Sequence, residues 1–471
     1  MSRERNLVKN TMILAIGQLS SKIFTFLLLP VYTSMLSPDD FGTIDALQTI
    51  ISLVMYFVTL QIENAIFRFV LENRTDKDSQ LNYVTSGFVI MVLMVMVSTG
   101  IIVGVNYFLS IPYVKLIVLV IWSQSIYLLV SNLTRGLGEN LIYSIASFLV
   151  TLSSLIINIV LIAGFRYGAS SILIALIFSN IMGAIYLVFK LNLWRLIKIY
   201  SFNSTNVKEM LDYSLPLIPN AISWWIANTS DRLLIIYFLG TSFNGIYAAA
   251  NKIPTIYTTI FTVFNTAWTE SVALAINDSD RNEYINSMIN SGFKLFSFLN
   301  MGIIICVSMF FKWLVGVDYV AAYNHIFILL VAIFVNSMCS LYGGVLSGLK
   351  NTRVIGWTTV VGAIINAIIN FIFINSIGLY AASISTLISY IVIYIFRLIN
   401  VRKEITIKIQ KMYLVQCLAM LILVAVGYFS KIILLNIIIL CVLIIWGTYH
   451  NKNILLPLWF KVKNKYNIFK E

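Results

Sequence analysis

Long apolar runs, interrupted only by short polar stretches, extend along almost the whole sequence. Hydrophobic residues make up 59% of the 471 residues, charged residues only 11%, and the mean hydropathy is +0.90. Soluble domains are about half apolar and about a quarter charged. The pattern predicts an all-α polytopic membrane protein. It argues against a soluble enzyme, a coiled coil, a nucleic-acid-binding module and an outer-membrane barrel, whose strands would alternate in polarity.

Hydropathy, turn residues and charge breaks together predict about fourteen transmembrane helices. A spanning helix needs about 20 apolar residues, so the chain has room for them. The connections are too short to form an extramembrane domain. The predicted spans are 12–36, 42–70, 81–108, 114–136, 141–165, 170–194, 214–239, 243–272, 287–311, 320–347, 354–375, 378–400, 410–428 and 431–449.

The basic residues divide unequally between the two sides of this predicted topology. Of the 32 Lys and Arg residues, about 25 fall in alternate connections on one side, and the rest are opposite or within spans. Because the basic side of a membrane protein faces the cytoplasm, we predict that both termini are cytoplasmic. The opposite side carries Lys115, Arg166, Lys312 and Lys431.

Two segments of the chain match each other at a constant spacing. Gly136 matches Gly348 and Asn158 matches Asn370, each pair 212 residues apart. A weaker match, at a spacing of 203, sets Leu36 through Gly42 against Leu239 through Gly245. These matches predict two copies of a six-helix unit.

The repeat predicts a division of the chain into three parts. Residues 1–200 and 201–404 would form two pseudo-symmetric six-helix bundles, and residues 405–471 would add two helices and a basic tail. An even number of spans per copy gives both bundles the same topology, as in transporters with parallel repeats and a central cavity.

Polar and charged residues lie inside several predicted spans, where they are costly unless they face water or a bundle interior. They concentrate in spans 1, 2, 7 and 8, the first two helices of each copy. We therefore predict that these helices line the cavity. The substrate-binding candidates are Gln18, Lys22, Thr25, Arg232, Asn251, Lys252 and Thr255.

Four acidic residues occur in the same spans: Asp45, Glu63, Asp231 and Glu270. Asp45 and Glu63 are separated by five turns at 3.6 residues per turn, so they would share one face of a continuous helix. Structural alternatives stay open. Acids near helix ends can act as caps, adjacent opposite charges can simply hold helices together, and threonine stripes can serve helix packing.

The sequence contains no pattern of a catalytic or metal centre. Its four cysteines and two histidines have no metal-ligand or disulfide spacing, and no nucleotide-binding loop or nucleophile motif occurs. We predict no catalytic residues, no metal and no cofactor.

Two stretches carry a family resemblance. NTMILAIGQLSSKIFTFLLLPVYTSMLSPDDFGTIDAL at 10–47 and DRLLIIYFLGTSFNGIYAAANKIP at 231–254 resemble the polysaccharide transporters, the Wzx-type flippases of the multidrug/oligosaccharidyl-lipid/polysaccharide exporter superfamily. The resemblance covers the whole chain in a six-plus-six-plus-two arrangement of spans.

The resemblance implies a function in the bacterial cytoplasmic membrane. Such proteins move undecaprenyl-diphosphate-linked oligosaccharides, used for O-antigen or capsule, from the inner to the outer leaflet by alternating access. The implied partners are this lipid-linked glycan, the bilayer, a glycan polymerase and a chain-length regulator, without nucleic acid. Lys22 and Lys252 would attract the diphosphate. The membrane potential opposes outward movement of an anion, so Asp45, Glu63, Asp231 or Glu270 would carry a coupling ion or proton.

Three other functions stay open. A drug/cation antiporter of the same superfamily would favour acids over lysines in its cavity. A lipid II flippase is favoured by Asp45 in its Thr-Ile-Asp-Ala context but disfavoured by Lys22, where that protein has an arginine, and by the absence of arginine at 56–58. A membrane glycosyltransferase or polymerase is disfavoured by the short outward connections.

Overall fold

The computed structural model describes residues 26–74, 76–408 and 410–452. Its regular structure in these ranges is helical, which confirms the predicted all-α fold. The first unit of the chain contains α1 Leu29–Met35, α2 Pro38–Thr59, α3 Ile62–Glu72, α4 Lys77–Leu109, α5 Val114–Gly136, α6 Asn140–Ile159, α7 Ser170–Lys190, α8 Ser204–Ser214 and α9 Leu217–Leu239.

The remaining helices follow after α9. A π-helical turn, Val160–Gly164, extends α6, and short 3₁₀ turns occupy Leu193–Leu196, Ile199–Ser201 and Val317–Tyr319. The long helices are α10 Thr241–Ala275, α11 Arg281–Leu314, α12 Ala322–Gly348, α13 Thr352–Ile377, α14 Leu379–Val401, α15 Lys411–Ser430 and α16 Ile433–His450.

Eleven of these helices are long and apolar enough to cross a membrane. The chain is therefore a multi-pass membrane protein. From the third onward, every predicted span coincides with one helix, and α9 and α10 occupy the positions of the seventh and eighth. Most of the predicted first span lies outside the described residues, and α1 is its end.

The predicted second span is two helices rather than one. Leu60 and Gln61 adopt left-handed backbone conformations, with φ of 49° and 57°, and separate α2 from α3. The break is held locally, because the Thr59 hydroxyl accepts a hydrogen bond from the Gln61 amide at 3.2 Å. The prediction that Asp45 and Glu63 share a face rested on one continuous helix and was wrong for that reason.

The chain forms two compact units, residues 1–249 and 250–471. The boundary between them falls within α10, so the division at 200, 404 and 405 stays a prediction. In the first unit α7 packs against α5 and α6, and in the second α14 packs against α12 and α13.

Residues matched by the repeat occupy equivalent places within the two units. Gly136 ends α5 and Gly348 ends α12. Asn158 in α6 and Asn370 in α13 are both buried, at 1% and 0% exposure. The same local arrangement therefore arises from both copies of the repeat.

Candidate functional site

An ion pair joins α2 to α9 in the first unit. A guanidinium nitrogen of Arg232 lies 2.8 Å from a carboxylate oxygen of Asp45 and 3.4 Å from the hydroxyl of Thr49, one turn further along α2. Asp45 is only 4% exposed and Thr49 only 3%. A charge at such a position is costly unless paired, so each member of the pair stabilises the burial of the other.

Asn244, at the start of α10, completes the cluster. Its side-chain amide donates to the carbonyl oxygen of Gly42 at 2.9 Å and to the second carboxylate oxygen of Asp45 at 3.3 Å. Asn244 is fully buried, and its own side-chain oxygen accepts no hydrogen bond from the described residues. Both oxygens of Asp45 are thus engaged, one by α9 and one by α10. We call Asp45, Thr49, Arg232 and Asn244 the charged node.

Beside the charged node, α2 and α10 cross at two glycines. A Cβ atom on Gly42 would overlap the carbonyl oxygen of Thr241, and one on Gly245 would overlap the carbonyl oxygen of Pro38. The Thr241 hydroxyl also donates to the Asp39 carboxylate. Gly42 and Gly245 match each other in the sequence at the spacing of 203 residues. The starts of α2 and α10 therefore meet at matched positions.

Two further hydrogen bonds tie the same helices together. The indole nitrogen of Trp225 donates to the hydroxyl of Ser52 at 2.8 Å, between α9 and α2. The hydroxyl of Tyr247 donates to the Asp231 carboxylate at 3.3 Å, between α10 and α9. Arg232 pairs with Asp45 on another helix, and its sequence neighbour Asp231 binds a tyrosine.

A second polar site lies wholly in the second unit, between α10 and α12. It is a pocket of about 190 Å³. The lining residues share hydroxyl, amide or apolar side chains and carry no formal charge: Tyr257, Thr258, Phe261, Thr262, Asn265, Ile333, Asn336, Ser337 and Ser340. We call this the polar pocket.

The hydrogen bonds around the polar pocket leave both acceptors and donors for a ligand. The hydroxyls of Thr258 and Thr262 donate to backbone carbonyls one turn earlier, at 3.0 and 2.8 Å, and Ser340 does the same at 3.0 Å. A hydroxyl has one proton, so these oxygens can only accept further bonds. The buried side-chain oxygen of Asn265 accepts none from the described residues. The side-chain amide nitrogens of Asn265 and Asn336 can also donate, so the pocket suits a ligand that both donates and accepts hydrogen bonds.

The predicted site residues are distributed unevenly. Gln18, Lys22 and Thr25 lie outside the described residues. Asp45 and Arg232 are brought together, with Asp231 near them on α9. Asn251 and Lys252 are partly buried on α10, where Thr255 and Glu270 are exposed. These four residues belong to the second unit. The polar pocket is lined by other residues of α10 and not by these four.

Glu63 lies on α3, beyond the helix break, and is 6% exposed. One of its carboxyl oxygens is buried without a hydrogen-bond partner among the described residues. A carboxyl group in such surroundings is costly to keep charged. Glu63 therefore remains a candidate for carrying a proton.

The sequence profile of the polysaccharide biosynthesis protein family matches residues 7–269. The chain belongs to this family. The resemblance to polysaccharide transporters noted in the sequence is thereby confirmed. The matched region contains the charged node and most of α10.

Individual relatives extend the comparison to the whole fold. An uncharacterized membrane protein of Methanocaldococcus jannaschii is 22% identical over 430 residues, covering 85% of this chain and all of that protein. The lipid II flippase MurJ in an inward closed conformation aligns with a TM-score of 0.69 and 14% identity, covering 94% of this chain and 100% of that one. A multidrug resistance MATE family transporter in an inward-facing conformation aligns with a TM-score of 0.68 and 14% identity, covering 83% and 98%. The polysaccharide biosynthesis protein thus has the fold of these transporters.

Several residues around the sites were not singled out from the sequence. Thr49 and Asn244 complete the charged node, and Asn336, Ser337 and Ser340 form the α12 wall of the polar pocket. Their signal was a polar residue within an apolar span, which is shared with many residues that only pack helices.

Arg397 is a buried basic residue of the second unit. It is 7% exposed on α14. Its guanidinium donates to the Cys339 carbonyl at 2.9 Å and to the hydroxyls of Thr358 and Thr359 at 3.2 and 3.1 Å. Arg397 therefore links α12, α13 and α14. In the sequence, the only indication of this contact was the pair of adjacent threonines on α13.

Proposed function

We propose that this polysaccharide biosynthesis protein is a flippase. It moves undecaprenyl-diphosphate-linked glycan repeat units from the inner to the outer leaflet of the bacterial cytoplasmic membrane by alternating access. Family membership and the multi-pass fold support a role in handling a membrane-bound glycan precursor. The observation that carries the proposal is the polar pocket between α10 and α12, which is lined by hydroxyl and amide groups.

The polar pocket fits the glycan part of such a substrate. Sugar hydroxyls donate hydrogen bonds, and the threonine, serine and asparagine oxygens of the pocket can accept them. Its volume of about 190 Å³ equals that of roughly six water molecules, which suits one sugar ring. The pocket has no positively charged side chain to balance a diphosphate, so the diphosphate would bind elsewhere. We assign it to Lys22 and Lys252.

The charged node is proposed to close the outward side during transport. The predicted topology puts the α1–α2 and α9–α10 connections outside, and the node ties the helices that begin or end there. Opening this side would require Arg232 to leave Asp45. Binding of a coupling cation to Asp45 in place of Arg232 would release the pair, which offers a route for an ion gradient to drive the cycle. Glu63 would be a proton carrier.

A cation antiporter is the second candidate, because the hydroxyl and amide oxygens of the pocket also suit an ammonium group. The two functions differ in what crosses the membrane. The test reconstitutes the full-length protein in vesicles and follows a fluorescent undecaprenyl-diphosphate oligosaccharide and, separately, a cationic dye under a proton gradient. Flipping of the glycan lipid without dye transport supports the proposal. Dye transport without flipping replaces it with the antiporter.

Variants connect the assay to the residues. Lys22→Ala and Lys252→Ala should lose flipping while remaining folded, and Glu63→Gln should lose the response to a pH gradient. Lys312→Ala is the matched control, since this exposed lysine lies in the last turn of α11. Full flipping by both lysine variants would contradict the assignment of the diphosphate.

A further inference from the structure

An apolar groove runs between α2, α4 and α5 in the first unit. It has a volume of about 600 Å³, and residues such as Val54, Phe57, Val97, Ile101 and Val105 line it. Among the described residues that line it, all are hydrophobic except Ser98, whose hydroxyl donates to the Val95 carbonyl at 2.8 Å. A buried water needs two to four polar partners, which this wall does not offer. The groove is therefore suited to a hydrocarbon chain.

A polar hollow adjoins one end of the groove, where α4 ends and α5 begins. It has a volume of about 420 Å³, shares Ile111 with the groove and includes Asn106, Ser110, Tyr113 and Lys115. The side-chain oxygen of Asn106 accepts the Ile111 amide at 2.8 Å, which fixes the turn. Lys115 is exposed and forms no salt bridge with a carboxylate of the described residues.

The two cavities together are complementary to an anionic lipid. The apolar groove suits a hydrocarbon chain, and the adjoining cation suits a negatively charged headgroup. Lys115 is one of the few basic residues on its predicted side of the membrane, so its charge is not part of a general basic surface. A lone lysine amid hydroxyl and amide groups attracts a phosphate, and a basic residue near a membrane surface contributes measurably to binding of anionic lipid.

The size of the groove matches that of one lipid acyl chain. Its wall on α4 extends from Met94 to Leu109, which is about 22 Å at 1.5 Å per residue. The 600 Å³ volume equals roughly twenty water-sized units of about 30 Å³, and a methylene group is of similar size. One phospholipid acyl chain fits this volume. An undecaprenyl chain has more than twice as many carbons.

We propose that the groove and the hollow form a binding site for one anionic glycerophospholipid. One acyl chain lies between α2, α4 and α5, and the headgroup phosphate binds Lys115. The site is independent of the proposed flippase activity. Leu47, Ile50 and Ile51 of the groove are on the same helix as Asp45. The bound lipid would therefore pack against the face of α2 that is opposite to the one contacting Arg232 and Asn244.

The headgroup is tested by adding single lipids to the delipidated full-length protein in detergent and measuring thermal stabilisation and bound mass by native mass spectrometry. Phosphatidylglycerol should bind about fivefold more tightly than phosphatidylcholine. Lys115→Gln should abolish this preference, and Lys312→Gln should retain it. Equal binding of the two lipids by the unaltered protein would overturn the proposal.

The groove is tested by filling it. Ile101→Trp should reduce phosphatidylglycerol binding about tenfold, whereas Val103→Trp should not, because Val103 is 57% exposed on α4 and does not line the groove. Val97→Phe is a smaller filler if the first variant does not fold. Unchanged binding by a folded groove variant would refute the acyl-chain assignment. Stronger binding of undecaprenyl phosphate than of phosphatidylglycerol would also refute it, in favour of the transported lipid.

Discussion

Gly42 and Gly245 lie at the crossing of α2 and α10, and each admits a backbone carbonyl of the other helix where a side chain would stand. The contact is reciprocal, because Gly42 meets the Thr241 oxygen and Gly245 meets the Pro38 oxygen. The two glycines are 203 residues apart in the sequence, and so are Pro38 and Thr241, whose carbonyl oxygens they meet. The two helix starts therefore make equivalent close contacts at positions that match in the sequence.

Substitution of either glycine should destabilise the protein. Gly245→Ala would place a methyl group against a backbone carbonyl that cannot rotate away, and we expect a loss of about 1–3 kcal/mol. Thermal unfolding of the purified protein measures it. Gly104→Ala is the control, since an added Cβ there meets no heavy atom of the described residues within 4 Å and should stabilise the helix by about 0.5–1 kcal/mol. Equal effects at the two glycines would disprove the close crossing.

The charged node should show strong coupling between its members. Asp45→Ala or Arg232→Met alone leaves one charge buried or half-buried without its partner, and each should cost about 2–4 kcal/mol. The double variant should cost less than the sum of the two, because no unpaired charge remains. Unfolding free energies from a double-mutant cycle provide the test. Additive losses would mean that the 2.8 Å contact contributes little.

The same double variant separates stability from transport. If the node must open and close, replacing the ion pair by apolar residues should restore stability but not flipping. Flipping at the original rate in the double variant would show that the ion pair serves only to hold α2 and α9 together. That is the structural alternative in which opposite charges merely join helices.

The helix boundaries were largely predictable because they follow run length and hydropathy. The span predicted at 114–136 is the helix Val114–Gly136, bounded by polar turns that any hydropathy analysis detects. The break at Leu60 and Gln61 was not predictable, since neither residue is glycine or proline. It is maintained by contacts such as the one between Thr59 and Gln61.

The sites were predictable only as single residues. Asp45 and Arg232 both stood out as charges within apolar spans, but they are 187 positions apart, and their pairing depends on how α2 packs against α9. The polar stripe of α10 was visible in Thr258, Thr262 and Asn265. That it faces Asn336 on α12 is a property of the tertiary structure alone.

Arg397 should be essential for the packing of the second unit. Arg397→Ala would leave the Cys339 carbonyl and the hydroxyls of Thr358 and Thr359 without their donor, and we expect a loss of about 2–4 kcal/mol. Arg397→Lys should recover little of it, because one ammonium cannot reproduce three fixed donors. Thermal unfolding measures both variants, with the exposed Arg402→Lys as control. Full stability of Arg397→Lys would contradict the three-helix role.

The polar pocket should respond to removal of a single acceptor. Thr262→Val keeps the shape of the side chain and removes one oxygen, so the concentration of glycan lipid needed for half-maximal flipping should rise about three- to tenfold, as expected for one hydrogen bond. Stability should change little, because Thr262 is exposed in the pocket wall. Thr266→Val is the matched control: it is exposed, makes the same kind of backbone hydrogen bond and does not line the pocket. If both variants weaken flipping equally, the effect comes from the helix and not from a sugar bound between α10 and α12.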